Sequence, residues 1–321
     1  MDPSGAVDSP AASRKSSPGP VVENHQSISL HKPANMMIPN RPAIIVHGGA
    51  GRIRDDELPQ RLEGCKQAGL AGWEILKQGG SALDAAEAAV VVLEDNPLFN
   101  AGTGSTLNSL GKVEMDAAIM EGNTLAAGAV AAVQGIKNPI KLARRVMEDG
   151  RYVLLVCEGA QLFARQIGFP ECAPDMLIVE AERKRWEEKH GTVGCVALDG
   201  AGKIAAATST GGIFNKLPGR VGDSPLLGCG TYADELGGVS CTGHGEAIMR
   251  IVMAKSTLEL LKGGADPHTA ANQAVVLLAK KTGSTGGLIV IDRQGRIGYA
   301  RNTLRMPVCF VTDSTGVETD S

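Results

Sequence analysis

The chain has 321 residues, of which 43% are hydrophobic and 21% are charged, and its formal net charge is -3. This length allows one large α/β domain or two ordinary ones, and the composition is normal for a globular protein. The near-neutral charge indicates neither a nucleic-acid nor a membrane partner, and no run of about 18 apolar residues predicts a membrane span. The 7 cysteines form no C-x-x-C pair, which favours a reduced cytoplasmic protein without disulfides or a zinc site.

Residues 1–40 differ in composition from the rest of the chain. They are rich in Ser, Pro and other polar residues and have no periodic apolar pattern. Such a segment cannot bury enough apolar surface to fold, so we expect a disordered N-terminal tail. It also lacks the apolar core of a secretory signal.

Ordered structure is predicted from residue 42, where an apolar run leads into His47-Gly48-Gly49. We interpret His47 more readily as a histidine bonded to backbone at a strand end than as a ligand or base. Apolar spacing predicts a helix over 57–78, and the N-cap pair Ser81 and Asp84 opens a second over 82–95. Further elements are predicted as strands at 113–120, 125–133 and 152–157 and as helices at 138–147 and 159–167.

The second half of the chain follows a charged run at 181–189, which we interpret as a solvated linker. Strands at 192–198 and 204–210, joined by a Gly-rich turn, predict a hairpin. Later elements are predicted as strands at 239–242, 287–291, 297–302 and 308–312 and as helices at 245–261 and 266–281. Without a repeating crossover pattern, this order predicts an α+β fold of two packed sheets with helix pairs outside.

Thr192 opens the first strand of the hairpin, directly after Gly191. A cut between Gly191 and Thr192 would make Thr192 a new N-terminus. Its α-amine, with an ordinary pKa of about 8, could then act as base for its own hydroxyl. A Thr at a strand start is by itself more often just a good strand former, so this interpretation needs support from the rest of the chain.

The hairpin supplies part of that support. Thr210 ends the second strand and should lie beside Thr192. The strand that ends at Thr242-Gly243 could provide oxyanion donors at the same edge. Arg220 and Asp223 suit a zwitterion, because Arg clamps a carboxylate and Asp accepts from an ammonium. The alternative is that these two side chains form an ordinary ion pair.

Seven ordered motifs carry a resemblance that covers about residues 42 to 307. They are His47-Gly48-Gly49-Ala50-Gly51, Asn96-Pro97-Leu98-Phe99-Asn100-Ala101-Gly102, Glu114-Met115-Asp116-Ala117, Gly191-Thr192-Val193-Gly194, Thr208-Ser209-Thr210-Gly211-Gly212, Arg220-Val221-Gly222-Asp223-Ser224-Pro225 and Thr242-Gly243-His244-Gly245-Glu246. With these motifs the sequence resembles the plant-type asparaginase and isoaspartyl peptidase family of N-terminal-nucleophile hydrolases.

The resemblance implies a four-layer αββα sandwich made as a precursor that cleaves itself between Gly191 and Thr192. Residues 41–191, with a linker at about 169–191, would form the α-chain, and residues 192–321 the β-chain. It further implies a homodimer of such pairs, hydrolysis of L-asparagine and of β-aspartyl dipeptides, and no required cofactor.

The resemblance also implies roles for single residues. Thr192 is the nucleophile, Thr210 its partner, and Asn100 orients the amine. Arg220 and Asp223 hold the substrate, and the oxyanion hole is lined by Thr242 and Gly243. A structural sodium ion is implied at the carbonyls of Leu93, Glu94, Asn96, Phe99, Ala101 and Thr103.

Three alternatives stay open from the sequence. One is the family's threonine endopeptidase relative, which usually carries a longer segment before the cut site. A glycosylasparaginase-like amidase would share the nucleophile, although the missing secretory signal and unpaired cysteines disfavour it. A binding protein could keep this fold without maturing. No nucleic-acid or membrane partner is expected.

Overall fold

The computed structural model describes residues 41–179 and 191–321. The predicted disorder of residues 1–40 and the charged run at 181–189 lie outside these ranges. Within them, no helix is long and apolar enough to cross a membrane.

The secondary structure begins in the first predicted apolar run. The strands are β1 (Ala43–His47), β2 (Met115–Glu121), β3 (Ala127–Val133), β4 (Leu154–Val156), β5 (Val193–Leu198), β6 (Ile204–Thr210), β7 (Thr231–Asp234), β8 (Gly237–Gly243), β9 (Gly286–Asp292), β10 (Ile297–Arg301), β11 (Val308–Thr312) and β12 (Gly316–Asp320). The helices are α1 (Leu58–Lys77), α2 (Ala82–Asp95), α3 (Pro139–Asp149), α4 (Cys157–Gln166), α5 (Gly245–Ile251), α6 (Met253–Lys262) and α7 (Pro267–Thr282), with a 3-10 turn at Pro174–Leu177.

Two sheets are formed by these strands. The larger has the order β12-β11-β1-β5-β6-β2-β3-β4, and the smaller has the order β10-β9-β8-β7. In the large sheet, β1 lies between β5 and β11, and β2 pairs with β6. Strands from before and after the undescribed segment 180–190 are therefore interleaved in one hydrogen-bonded sheet, with β1 between two strands that come after that segment.

The two sheets pack face to face, and helices cover their outer faces. In β5, Cys195 and Ala197 belong to the core beneath α1 and α2, whereas Val196 and Leu198 belong to the core between the sheets. A third core lies between the small sheet and the helices that follow β8. Because both faces of the central strands are buried, they are continuously apolar rather than alternating. The predicted αββα sandwich is confirmed.

Small residues allow close packing in this interior, which has few aromatic side chains. A Cβ on Gly72 of α1 would lie 2.7 Å from the carbonyl oxygen of Ala85 in α2 and would also meet Ile44 of β1. A side chain at this position would force the two helices apart, because both obstacles are fixed in packed elements.

Some local predictions are wrong. The single helix predicted over 245–261 is two helices, because Val252 has a left-handed φ of 49° between α5 and α6. The strands β7 and β12 were not predicted. Asn138 stands at the N-cap position of α3 but its side chain makes no cap; it donates to Asp95, and Glu94 accepts the Ile140 N–H instead. Tertiary contacts thus replace the local capping signal.

The segment before residue 180 packs on the domain as far as the structure describes it. Leu177 is fully buried in the core under the helices, and its carbonyl accepts a hydrogen bond from the Gly104 N–H. The backbone N–H of Cys172 donates to the Gly135 carbonyl. Any free linker would accordingly begin after these contacts.

Candidate active site

Thr192 lies at the end of the large sheet where β5 begins. The β5–β6 register starts with Val193 opposite Ser209, so Thr192 comes one position earlier and Thr210 ends the partner strand. The Thr192 N–H donates to the Thr242 hydroxyl at 3.4 Å, and that hydroxyl also accepts the Ala50 N–H at 3.0 Å. Thr192 is therefore fixed between the two sheets, with only 7% of its surface exposed.

The glycine turn after β1 lies against the predicted cleavage site. Gly49 has a φ of 97°, a region that favours glycine, and a Cβ there would lie 2.7 Å from the Gly191 Cα. Asn100 also lies near Gly191, since its Cβ is 4.0 Å from the position of a Gly191 Cβ. Only a glycine turn leaves room for the backbone at residue 191.

Asn100 supports the end of β6. Its Nδ2 donates to the Gly212 carbonyl at 2.7 Å, and its Oδ1 accepts the Thr106 N–H at 2.8 Å. The Thr210 hydroxyl accepts the Gly212 N–H at 2.9 Å. In this continuous chain the Thr192 nitrogen is bonded to Thr242 rather than to Asn100, so orientation of a free amine by Asn100 stays a prediction.

Arg220 and Asp223 approach the site from one loop but do not form the ion pair considered as an alternative. Among the described residues, Arg220 pairs with Glu246, with Nε and Nη2 at 3.0 and 2.9 Å from its Oε1. Asp223 is buried, and its Oδ2 has no hydrogen-bond partner within the described ranges. Burial raises the pKa of Asp223 to about 7, although the Arg220 charge opposes this shift. A cationic group entering the site would meet an unsatisfied carboxylate.

Glu246, the partner of Arg220, is a charged residue beside this site to which the sequence assigned no role. It belongs to the Thr242-Gly243-His244-Gly245-Glu246 motif, but 26 residues separate it from Arg220. Its position at the start of α5, directly after β8, is the only local signal that it faces the site.

One pocket brings most of the predicted site residues together. It is lined by Gly191, Thr192, Thr210, Gly212, Ile213, Arg220, Gly222, Asp223, Gly243 and Gly245. Gly243 ends β8 with a φ of 135°, and a Cβ there would lie 2.7 Å from the Thr285 carbonyl oxygen. Thr242 is fully buried behind it. The predicted nucleophile, its predicted partner and the two side chains predicted to bind substrate thus share one cavity.

His47 is fully buried at the end of β1, and its Nε2 lies 3.0 Å from the Ser240 hydroxyl. Burial lowers its pKa to about 3, and only the Thr192 backbone opposes this shift. A ring that resists protonation this strongly is a poor base, which favours a structural role for His47, although its hydrogen-bond partner is the Ser240 hydroxyl rather than the predicted backbone group. The Ser240 hydroxyl is also hydrogen-bonded to the Thr208 hydroxyl at 2.8 Å. The Thr208 hydroxyl in turn accepts a hydrogen bond from the Thr231 hydroxyl at 2.6 Å.

The loop predicted to hold sodium follows α2 and is tightly wound. A Cβ on Gly104 would lie 2.5 Å from the Pro97 carbonyl oxygen, and the Glu94 carbonyl accepts the Thr103 N–H at 2.8 Å. Carbonyl oxygens retain a second lone pair and suit a hard cation. The donor atoms are therefore of the type that binds sodium, and the ion itself stays a prediction.

Comparison with known proteins identifies the family. A family model described as asparaginase matches residues 40–190 and 187–319. A plant-type L-asparaginase of Pyrococcus abyssi is 50% identical over 299 residues, which cover 84% of this chain and 96% of that protein. An isoaspartyl peptidase/L-asparaginase of Homo sapiens is 49% identical over 270 residues, 79% and 88% of the two chains. The chain belongs to the asparaginase family.

Proposed function

We propose that the protein is a hydrolase that converts L-asparagine to L-aspartate and ammonia and cleaves β-aspartyl dipeptides. The names of its relatives support this activity, since both asparaginases and isoaspartyl peptidases occur among them. The observation that carries the proposal is the pocket in which Thr192 lies together with Arg220 and the unpaired carboxylate of Asp223.

Maturation would proceed through Thr192 itself. Its hydroxyl oxygen attacks the Gly191 carbonyl carbon, and the hydroxyl proton passes to the departing Thr192 nitrogen. The peptide C–N bond breaks, and an ester forms with release of the Thr192 α-amine. Water then hydrolyses the ester and leaves a Gly191 carboxylate. The contact of Gly49 with Gly191 supports this step, because it fixes the attacked residue against the glycine turn.

Catalysis would repeat the attack on a bound substrate. The free α-amine of Thr192 accepts the hydroxyl proton while the oxygen attacks the side-chain amide carbon. The tetrahedral oxyanion would lie beside Thr242 and Gly243. The amide C–N bond breaks, and ammonia or the amine of a dipeptide leaves with that proton. Water attacks the resulting ester and releases aspartate.

Asp223 and Arg220 would supply substrate recognition. The unpaired Asp223 carboxylate accepts from the substrate ammonium, and the Arg220 guanidinium binds the α-carboxylate. The Arg220 guanidinium also keeps Glu246 as a carboxylate partner, so its charge is paired before a substrate binds.

The test begins with the intact mass and N-terminal sequence of the purified protein under denaturing conditions. We expect two pieces, the second starting Thr-Val-Gly-Cys, and release of ammonia from L-asparagine by the cleaved protein. An uncut chain that binds aspartate without turnover would support the non-maturing binding protein instead. Activity on glycosylated asparagine alone would support the glycosylasparaginase-like alternative.

Two further features belong to this proposal. A sodium ion on the carbonyls of the loop at 93–103 would stabilise the segment that carries Asn100. An unfolding temperature equal in sodium chloride and choline chloride would contradict this.

The protein would assemble as a homodimer of cleaved pairs. Apolar side chains exposed around the edge strand β4, such as Val153 and Leu162, support this assembly. Light scattering at the mass of one pair would refute the dimer. The cytoplasmic location stays a prediction.

A further inference from the structure

Two carboxylates at the start of β2 have no part in the proposed chemistry, although both lie close to the site. They belong to the Glu114-Met115-Asp116-Ala117 motif, and Glu114 and Asp116 are 4% and 0% exposed. Asp116 lies opposite Thr210 in the sheet. Buried carboxylates are costly unless hydrogen bonds satisfy them, so their partners indicate what they do.

Their partners lie in residues 211–223, which we call the clamp loop because it carries Arg220 and Asp223. Glu114 Oε2 accepts the Gly219 N–H at 3.0 Å, and Asp116 Oδ2 accepts the Gly222 N–H at 3.1 Å. Gly219 directly precedes Arg220, and Gly222 directly precedes Asp223. Each carboxylate thus holds the peptide next to one substrate-binding side chain.

A buried lysine makes a third link between β2 and the clamp loop. Lys216 is 3% exposed, and its Nζ donates to the Glu114 carbonyl at 2.8 Å. Burial lowers the pKa of Lys216, while the charges of Asp116 and Glu114 oppose that shift. The loop tip at 217–219 is exposed, so these contacts from β2 hold it from beneath.

The other oxygen of Asp116 is fixed by an irregularity of the sheet. The β2–β3 register shifts between Met115 and Ala117, and Ala132 on the facing strand has a φ of 50°. The Ala132 N–H donates to Asp116 Oδ1 at 2.8 Å. A β-bulge of this kind directs a side chain, and here it fixes the carboxylate that holds Gly222.

We propose that Asp116 and Glu114 are positioning residues that set the separation and orientation of Arg220 and Asp223, and thereby the affinity for amino acids with free α-groups. The inference rests on the proposed function for the identity of the ligand. It concerns binding alone, because neither carboxylate lines the pocket.

The two side chains differ in how well they tolerate neutral replacement. Asp116 accepts from two backbone N–H groups, which cannot turn, so Asp116→Asn places an amide NH2 against a donor. Glu114 Oε1 accepts from the Gln134 side-chain amide, which can flip and present its oxygen. Glu114→Gln can therefore retain an oxygen toward Gly219.

The experiment measures the dissociation constant for L-aspartate by calorimetry. We expect Asp116→Asn to weaken binding by about 10- to 100-fold, the effect of one unsatisfied buried donor. Glu114→Gln should change it much less. Self-cleavage should keep its wild-type rate in both variants. The Gly191 peptide has no free α-ammonium or α-carboxylate for Asp223 and Arg220 to bind. Glu121→Gln is the matched control, since this carboxylate ends the same strand and accepts the Asn123 and Thr124 N–H groups away from the site.

The outcomes separate this inference from the proposed function. A wild-type protein that binds aspartate more tightly than Asp116→Asn but turns nothing over would refute the function and support the inference. Equal affinity in wild type and Asp116→Asn would overturn the inference whatever the turnover. Slower self-cleavage together with a lower unfolding temperature would also overturn it, because the role would then be structural. If Asp116→Asn does not fold, Glu114→Ala removes the Gly219 acceptor and gives the same test.

Discussion

Replacing Thr192 with Ala is expected to leave the protein as a single chain with no measurable hydrolysis of L-asparagine. The substitution removes the hydroxyl that attacks in both maturation and catalysis, and without cleavage no α-amine is released. Loss of a nucleophile from a catalytic unit costs on the order of 10^4-fold or more in rate. Denaturing gel electrophoresis after long incubation, together with an ammonia assay, measures both effects.

Thr192→Ser is the matched control for this experiment. It retains the hydroxyl and the backbone N–H that donates to Thr242, so we expect cleavage and reduced but measurable activity. The unfolding temperature of the cut Thr192→Ser protein should stay close to that of the cut wild-type protein. A Thr192→Ala protein that is cut and active would refute Thr192 as the nucleophile.

Replacing Asp223 with Asn is expected to lower kcat/KM for L-asparagine by about 30- to 4,000-fold, which corresponds to about 2–5 kcal/mol for removing one partner of a buried charge pair. Asp223 is 4% exposed and its Oδ2 is free to accept from an ammonium. Asp199→Asn is the control, because Asp199 is buried at the far end of the β5–β6 hairpin and accepts from a turn there. Equal losses in both variants would contradict a specific role for Asp223.

The pH dependence of binding gives Asp223 a second signature. Its pKa of about 7 means that the carboxylate becomes neutral as the pH falls below 7, so the wild-type dissociation constant for L-aspartate should rise there. In Asp223→Asn the dissociation constant for L-aspartate should change little between pH 5 and 8. Because burial raises this pKa from its ordinary value of 3.8 to about 7, the folded state loses stability as pH rises between these two values, and the loss is complete above pH 7. Asp223→Asn should therefore unfold at an equal or higher temperature at pH 8, although it binds less well.

The sequence predicts regular elements well where one signal is strong and local. Ser81 forms the side-chain cap predicted for α2, and Asp266 caps α7 in the same way, each accepting an N–H three residues later. The hairpin of β5 and β6 also has the predicted register. The break at Val252 was not predictable, because a β-branched apolar residue with positive φ has no local signature and is held there by its surroundings.

The candidate site likewise contains residues that the sequence could predict and contacts that it could not. Thr192, Thr210, Arg220, Asp223 and Gly243 line one pocket, and the motif pattern was sufficient to nominate them. The partners that set their geometry were not predictable, since Glu246, Glu114 and Asp116 contact the clamp loop across 26 to more than 100 residues of sequence. Such pairings depend on strand order, which no local pattern contains.

The alternation of strands in the large sheet has a consequence for the lifetime of the mature protein. Once the Gly191–Thr192 bond is cut, β1 remains between two strands of the other piece, so neither piece can leave without breaking the sheet. Unfolding then frees two independent chains, and recovery becomes a bimolecular encounter whose rate falls with dilution. The cleaved enzyme should persist through a slow unfolding rate rather than a reversible equilibrium, and its heat inactivation should be irreversible at low concentration.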